Sequence, residues 1–561
     1  PIAQQSLFDL ETGAGDGIDF VKLARAQNVR GCQCRTIGDF EDSYRMAMAT
    51  RGPIVLHCIF RPPNTRAASS TASTASSTSS TSSTSNTSNK QRQWPKSAPN
   101  VWRVLSRAAC LWKNQPAIVS SSRQSPVMTY NELETAAKSL GSFLRNQHIQ
   151  QGDRVGILAD NLREVIVLHY ACAFIGAVVV NLNVRLVPNE LINILNDSTP
   201  KLLAAGVRYE HTIIETLKMM SKKMYRPQGV VWIGETSERQ SSQRYHEFNF
   251  LNVIKRKRHT REELPTNAGG DDPCHIYYTS GTTGVAKGVV LSHNALLAHA
   301  VASVAEFQIQ QQDRWLHLAP IFHVADAFAV LAITYVGGTH VMEQSFNPTH
   351  AWDTMSQQRI TITNISPSML TSMLHVVNVV HHTGTRFESS DFSELRMLSC
   401  GGASIPQATI ARFKQLLPHV KYFTSYGMTE TAGKISISLP LLFDKNKKST
   451  TSAEAQDPLL LTSGRPFMPM DLRVVEENDG IFQNIVEDGN AVGEVHVRGQ
   501  TLFTGYWNNE EATRKSFTAD GWFVTGDLAV KHSSGYITIM DRRKDIIIVG
   551  GENVFTSEVE N

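Results

Sequence analysis

Residues 279–288 combine side-chain types that can hold a chain of phosphates. The segment reads Thr279-Ser280-Gly281-Thr282-Thr283-Gly284-Val285-Ala286-Lys287-Gly288. Its glycines let backbone N–H groups approach a polyanion because no Cβ stands in the way. The hydroxyls add hydrogen-bond donors, and Lys287 adds a positive charge. The segment therefore predicts a triphosphate site, although it is not a Walker A motif, because Ala286 precedes the lysine and Gly288 follows it.

A second segment, residues 424–430, carries complementary chemistry. Tyr426 offers an aromatic face on which a nucleotide base could stack. Gly427 permits close approach of a ligand, and Thr429 can donate a hydrogen bond to a phosphate. Glu430 is a hard oxygen ligand, which suits a Mg²⁺ ion that bridges phosphates. This segment predicts the metal-binding and base-binding parts of the same site.

The surrounding sequence alternates strand-like and helix-like segments. A capping box beginning at Thr129 predicts a helix through Asn146. The segments that follow predict strands at 154–158, 177–182, 202–205 and 230–233, and helices at 161–175, 188–196 and 209–221. Such alternation is typical of an α/β fold with doubly wound, mostly parallel sheets. Ligands bind beyond the carboxyl ends of the strands in these sheets, and the glycine-rich segment follows a predicted strand at 274–278.

Composition excludes several classes of protein. The formal net charge of +3 gives no indication of nucleic-acid binding, and the longest apolar stretch, residues 165–180, is too short for a membrane span. We predict that this stretch forms a buried helix followed by a buried strand. The seven scattered cysteines have no zinc-finger spacing and favour free thiols in a reducing compartment, the cytoplasm or an organelle lumen.

A low-complexity segment divides the chain into two parts. Residues 67–89 are almost wholly Ser, Thr, Ala and Asn, so they cannot bury enough apolar surface to fold, and residues 67–94 are predicted to be a disordered linker. Residues 1–66 are predicted to form a short α/β fragment, with helices near residues 20–24 and 39–49 and a buried strand within residues 52–60. Its segments 17–24 and 52–56 resemble the C-terminal end of thiamine-diphosphate enzymes such as benzoylformate decarboxylase, with an unrelated α/β fragment as the alternative. That family's cofactor-binding loops lie upstream of this region, so no thiamine diphosphate is expected to bind to this fragment.

The motifs of residues 279–288 and 424–430, in this order, resemble those of the adenylate-forming ligases, which include acyl-CoA synthetases and peptide-synthetase adenylation domains. The resemblance implies a large domain over residues 95–540, with a small β subdomain, and a hinge at Asp541 that begins a C-terminal domain in residues 541–561. It implies that His323 lies beside the acyl carboxylate and that Asp527 and Arg542 contact the ribose or phosphate. It also places adenine against the small residues Gly401, Gly402 and Ala403.

The implied reaction uses ATP, Mg²⁺ and coenzyme A to convert a small carboxylic acid into its thioester. Lys287, His323, Thr429 and Glu430 are the expected catalytic residues, with Glu430 as the metal ligand. A carrier-protein-loading adenylation domain and a nucleotide-binding remnant without turnover remain alternatives. In the ligase family, a C-terminal part with a lysine that orients the carboxylate follows the hinge. The resemblance therefore leads us to expect such a part beyond Asn561 in the natural protein. Candidate walls of the acyl pocket are Asp326, Ala327, Ser366, Pro367, Met369 and Met428.

Overall fold

A computed structural model describes two compact units, residues 1–92 and 93–561. The residues that it describes are 30–34, 54–58, 98–121, 126–220, 224–234, 246–255, 266–279, 286–382, 389–403, 405–438, 462–478, 481–545, 547–549 and 552–554. The whole predicted linker, residues 67–94, lies outside the described residues. The domain boundaries at 66, 94 and 540 stay predictions.

The strands are numbered in chain order. They are β1 Arg30–Cys34, β2 Ile54–Cys58, β3 Pro116–Ser120, β4 Met128–Thr129, β5 Arg154–Leu158, β6 Val178–Asn181, β7 Leu202–Gly206, β8 Gly229–Ile233, β9 His246–Asn249, β10 Pro273–Thr279, β11 Lys287–Ser292, β12 Arg314–His317, β13 Thr339–Met342, β14 Ile362–Ile365, β15 Met397–Gly401, β16 Lys421–Met428, β17 Gly433–Ile437, β18 Arg465–Pro466, β19 Met470–Asn478, β20 Ile481–Asn484, β21 Val492–Gly499, β22 Gly505–Tyr506, β23 Phe523–Lys531, β24 Ile537–Arg542, β25 Ile547–Val549 and β26 Glu552–Val554.

Helices connect most of the parallel strands. The α-helices are Trp102–Leu111, Tyr130–Asn146, Arg163–Ile175, Pro188–Ser198, Glu210–Met219, Phe250–Lys255, His293–Glu306, Val324–Val336, Pro348–Gln357, Pro367–His382, Gln407–Leu416 and Glu510–Lys515. The capping box is confirmed, since Thr129 Oγ1 accepts from the Glu132 backbone N–H and the Glu132 carboxylate accepts from the Thr129 N–H.

Three large sheets and the two-stranded sheet of β25 and β26 are the sheets in the described part of the second unit. The first has the order β22-β11-β10-β6-β5-β7-β8-β9, and the second has the order β18-β17-β16-β15-β14-β12-β13-β3-β4. Both are parallel in the middle and gain antiparallel strands at their edges. The third sheet, β20-β19-β21-β23-β24, is antiparallel throughout. The predicted α/β class, with parallel-rich sheets and a small β part, is confirmed.

The largest hydrophobic core joins the first two sheets through buried helices. Every residue of the helix Arg163–Ile175 from Val165 onwards is buried, and so is most of the helix Val324–Val336. The apolar stretch at 165–180 is therefore a buried helix and strand, as predicted. The helix of this stretch ends at Gly176, whose φ of 79° lies in the left-handed region that glycine adopts without strain. Within the described residues, no helix is both long and apolar enough to cross a membrane.

The first unit contributes one described feature, a parallel pairing of β1 with β2. The strand predicted within residues 52–60 is confirmed as β2, whereas β1 had no clear sequence signal. The helices predicted near residues 20–24 and 39–49 lie outside the described residues. The resemblance of this unit to thiamine-diphosphate enzymes stays a prediction.

Candidate active site

The predicted phosphate-binding segment joins two neighbouring antiparallel strands. Thr279 ends β10 and pairs with Lys287, which begins β11. Both residues line a cavity of about 1560 Å³. The intervening Ser280, Gly281, Thr282, Thr283 and Gly284 lie outside the described residues. The two strand ends therefore place the lysine and one hydroxyl of the motif at the same cavity.

A half-buried tyrosine links Lys287 to Glu430. The Tyr506 hydroxyl donates to Glu430 Oε1 at 2.9 Å, and Lys287 Nζ lies 5.1 Å from the centroid of the Tyr506 ring. Burial raises the pKa of the Glu430 carboxyl, while Tyr506, Arg542 and Lys287 oppose that shift. Two residues that are far apart in sequence thus converge, and Tyr506, on β22, is a site residue that sequence reasoning missed.

Glu430 fits the partial coordination that Mg²⁺ uses in nucleotide sites. No group of three or more His, Cys, Asp or Glu side chains in the described part of the chain could enclose a metal ion. Mg²⁺ is commonly held by one or two carboxylates together with substrate phosphates. A single buried carboxylate beside Lys287 suits that arrangement, with the phosphates and water completing the shell.

At the other end of the cavity, Tyr426 is fixed by the third sheet. Its hydroxyl donates to Asp527 Oδ2 at 2.5 Å, and Asp527 Oδ1 lies 3.4 Å from Arg542 Nε. Asp527 and Arg542 are paired across β23 and β24. Burial raises the pKa of the Tyr426 phenol well above its ordinary value and also raises that of the Asp527 carboxyl. One carboxylate oxygen of Asp527 is therefore already used by Tyr426, and the other lies beside Arg542.

The structural reason for a small residue differs from one position of the site to the next. A Cβ at Gly427 would lie 1.8 Å from the Gly433 carbonyl oxygen, so the adjacent strand alone requires glycine there. A Cβ at Gly401 would lie 2.6 Å from Ser425 oxygens. Gly402 has a φ of 95° and lines the cavity together with Gly401, whereas Ala403 is exposed and does not line it.

His323 lies where the helix Val324–Val336 begins, and it lines the cavity. Burial first, and then the charge of Arg185, lower the pKa of its imidazole. The ring is therefore neutral near pH 7, so its N–H can donate a hydrogen bond to a carboxylate without forming an ion pair. Arg185 lines the same cavity.

The acyl-pocket prediction is partly wrong. Ser366, Met369 and Met428 line the cavity, as does Thr429, but Asp326 and Ala327 do not. Asp326 is fully buried and accepts hydrogen bonds from Trp315 Nε1 at 3.0 Å and His317 Nδ1 at 2.6 Å. The helix directs this carboxylate into the core, where two buried donors satisfy it. Pro367 begins a helix and is not among the lining residues.

One cation at the cavity was missed entirely. Lys434 lies on β17, is 4% exposed, and lines the cavity beside Gly433. Sequence reasoning had no signal for it, because a lone lysine in a strand is usually a solvent-facing residue.

Lys287 and Tyr426 line the cavity, whereas Glu430 and Asp527 do not. Glu430 is bonded to Tyr506 beside Lys287, and Asp527 is bonded to Tyr426, an arrangement at parallel-rich sheets that fits a nucleotide-binding α/β enzyme. A sequence profile of the family described as AMP-binding enzyme matches residues 105–507. The chain belongs to this family.

The chain is similar to CoA ligases that are named for different carboxylic acids. It is 32% identical over 437 residues to the long-chain-fatty-acid–CoA ligase FadD13 of Mycobacterium tuberculosis, covering 77% of each chain. It is 28% identical over 469 residues to the peroxisomal trans-cinnamate:CoA ligase of Petunia hybrida, covering 82% of this chain and 78% of the relative. Among solved structures, the o-succinylbenzoate CoA synthetase of Bacillus subtilis in complex with its acyl-adenylate intermediate matches with a TM-score of 0.65 and 26% identity, covering 82% of each chain.

Proposed function

We propose that this chain is an AMP-forming acid–CoA ligase. The carboxylate oxygen of the acid attacks the α-phosphorus of ATP, the bond to pyrophosphate breaks, and an acyl-adenylate forms. The thiol of coenzyme A then attacks the acyl carbonyl, loses its proton, and displaces AMP. Membership of the AMP-binding enzyme family and similarity to acid–CoA ligases support this reaction.

The roles of the individual residues follow from their chemistry and position. Thr279 and Lys287 would hold the β- and γ-phosphates, and Thr429 would donate to the α-phosphate. Mg²⁺ bound by Glu430 would supply charge neutralisation on the phosphate oxygens. Tyr506 keeps the Glu430 carboxylate in one orientation through its hydrogen bond.

The nucleoside and the acid are held at different places in the cavity. Tyr426, Asp527 and Arg542 form one connected group that would bind the nucleoside. His323 would orient the carboxylate. Holding both reactants in line supplies most of the catalysis in such phosphate chemistry.

The observation that carries the proposal is the convergence of Lys287, which lines the cavity, and Glu430 on Tyr506. The test is acid-dependent exchange of labelled pyrophosphate into ATP, measured with a panel of carboxylic acids and with and without Mg²⁺. We expect exchange with at least one acid, only when Mg²⁺ is present. Lys287→Met should abolish the exchange, while the control Lys421→Met, at the far end of β16, should not.

Exchange with no acid, together with no Mg²⁺-dependent binding of ATP, would refute the proposal. Release of acyl-CoA, measured by mass spectrometry, separates transfer to coenzyme A from loading of a carrier protein. The compartment, cytoplasm or organelle lumen, and the hinge at Asp541 stay predictions.

A further inference from the structure

Lys434 lines the same cavity as His323, the residue proposed to hold the acyl carboxylate. It is opposite Gly427 in the antiparallel pairing of β16 with β17. Gly433 and Val324 also line this cavity. Gly427 directly follows Tyr426, the proposed nucleoside-binding residue, on β16.

The ammonium group has aromatic neighbours and no acceptor. Lys434 Nζ lies 3.4 Å from the centroid of the Phe328 ring and 5.1 Å from that of Phe307. Within the described part of the chain, its ammonium makes no hydrogen bond or ion pair. Asp326 is close enough to act on it electrostatically, but both carboxylate oxygens of Asp326 already accept from Trp315 and His317.

Such an arrangement is costly unless a ligand completes it. A buried ammonium that lacks an oxygen partner loses its hydration without replacement. Cation–π contacts with the two phenylalanines replace only part of that hydration. Burial accordingly lowers the pKa of Lys434 to about 7, and the charge of Asp326 opposes this shift only in part. An anion bound at the ammonium would restore its charged form.

His323 and Lys434 line the same cavity, and Phe328, which the ammonium contacts, lies five residues after His323. An acid with one carboxylate at His323 can therefore carry a second anionic group towards Lys434.

We propose that Lys434 binds a second carboxylate at the far end of the acyl chain, so that the preferred substrates are dicarboxylic acids. This inference rests on the proposed function, because it concerns the acid that is activated. In the bound acid, one carboxylate lies at His323 and reacts with ATP. The other accepts hydrogen bonds from the Lys434 ammonium and does not react.

The test compares straight-chain monocarboxylic and dicarboxylic acids of equal length in the pyrophosphate-exchange assay. The wild-type chain should favour a dicarboxylic acid. Lys434→Met keeps the length and volume of the side chain and removes its charge. Because a hydrogen bond to a charged group contributes about 1.5–3 kcal/mol, we expect kcat/KM for the dicarboxylic acid to fall about 10- to 100-fold.

The controls separate loss of recognition from loss of the enzyme. Exchange with the monocarboxylic acid should be retained or increased in Lys434→Met, which also establishes that the variant folds. Lys421→Met should leave the ratio between the two acids unchanged. A wild-type preference for monocarboxylic acids, or the same ratio in wild type and Lys434→Met, would overturn this inference and leave the proposed function intact. Exchange with no acid would overturn both.

Discussion

Replacing Lys434 by methionine should stabilise the protein, and the gain should depend on pH. Lys434 is 4% exposed, and its ammonium has aromatic neighbours instead of an oxygen partner. Burial is the largest cause that lowers its pKa from 10.5 to about 7, and Asp326 opposes it. Since one pKa unit corresponds to about 1.36 kcal/mol, the charged form costs on the order of 5 kcal/mol in the folded state.

The direction of the pH dependence follows from proton binding in the two states. Below about pH 7 the lysine is protonated in both the folded and the unfolded chain, so the folded state carries the whole cost. Between about pH 7 and about pH 10.5 the unfolded chain binds the extra proton, and raising the pH therefore increases stability. The stabilisation by Lys434→Met should be largest in acid and should shrink by on the order of 3 kcal/mol between about pH 6 and about pH 9.

The measurement is urea unfolding followed by tryptophan fluorescence at a series of pH values. Wild type, Lys434→Met and Lys421→Met are compared, so that pH effects from other groups cancel in the difference. Lys421→Met should follow the wild type at every pH, because Lys421 is only partly buried and lies away from the cavity. A difference between wild type and Lys434→Met that stays constant with pH, or grows as pH rises, would refute the reasoning.

Three further outcomes follow from the contacts at the site. Glu430→Gln should lower pyrophosphate exchange by at least about 100-fold and weaken its dependence on Mg²⁺, because the metal loses a charged ligand; an unchanged Mg²⁺ titration would contradict this. Tyr506→Phe removes only the hydrogen bond to Glu430, so the Mg²⁺ concentration needed for half-maximal exchange should rise about 10-fold. An unchanged Mg²⁺ concentration would mean that Tyr506 acts only through packing. Gly427→Ala should destabilise the fold by at least about 2 kcal/mol in urea unfolding, since its Cβ would lie 1.8 Å from a carbonyl oxygen. The control Gly206→Ala, whose Cβ meets nothing nearer than 3.5 Å, should cost less.

Local sequence signals predicted much of the fold. The capping box at Thr129 fixed the start of a helix to the residue, and Gly176 ended the next predicted helix. These features depend on interactions within a few residues, so their signal is contained in a short window of sequence. The order of the strands within each sheet depends on long-range pairing, and no local signal indicates that β22 pairs with β11.

The candidate site was predictable where a motif carries the chemistry. Lys287, Tyr426 and Glu430 stand in recognisable segments, and the structure places all three at or beside one cavity. Asp326 was misassigned to the pocket wall because its direction depends on the rotation of a helix. Lys434 has no local signal, since its burial results from strands and helices that meet only in the folded chain.

Gly427 illustrates how one residue can satisfy two explanations. The sequence suggested that glycine makes room for a ligand, whereas the structure shows the Gly433 backbone occupying the space of a side chain. Both reasons lead to glycine, so the residue type alone could not distinguish them.

The hydroxyl that holds Glu430 comes from Tyr506, and the carboxylate that holds Tyr426 comes from Asp527. Both partners are translated well after the residues that they fix. A chain truncated before residue 506 would lack both partners, so we expect it to bind ATP more weakly than the longer chain.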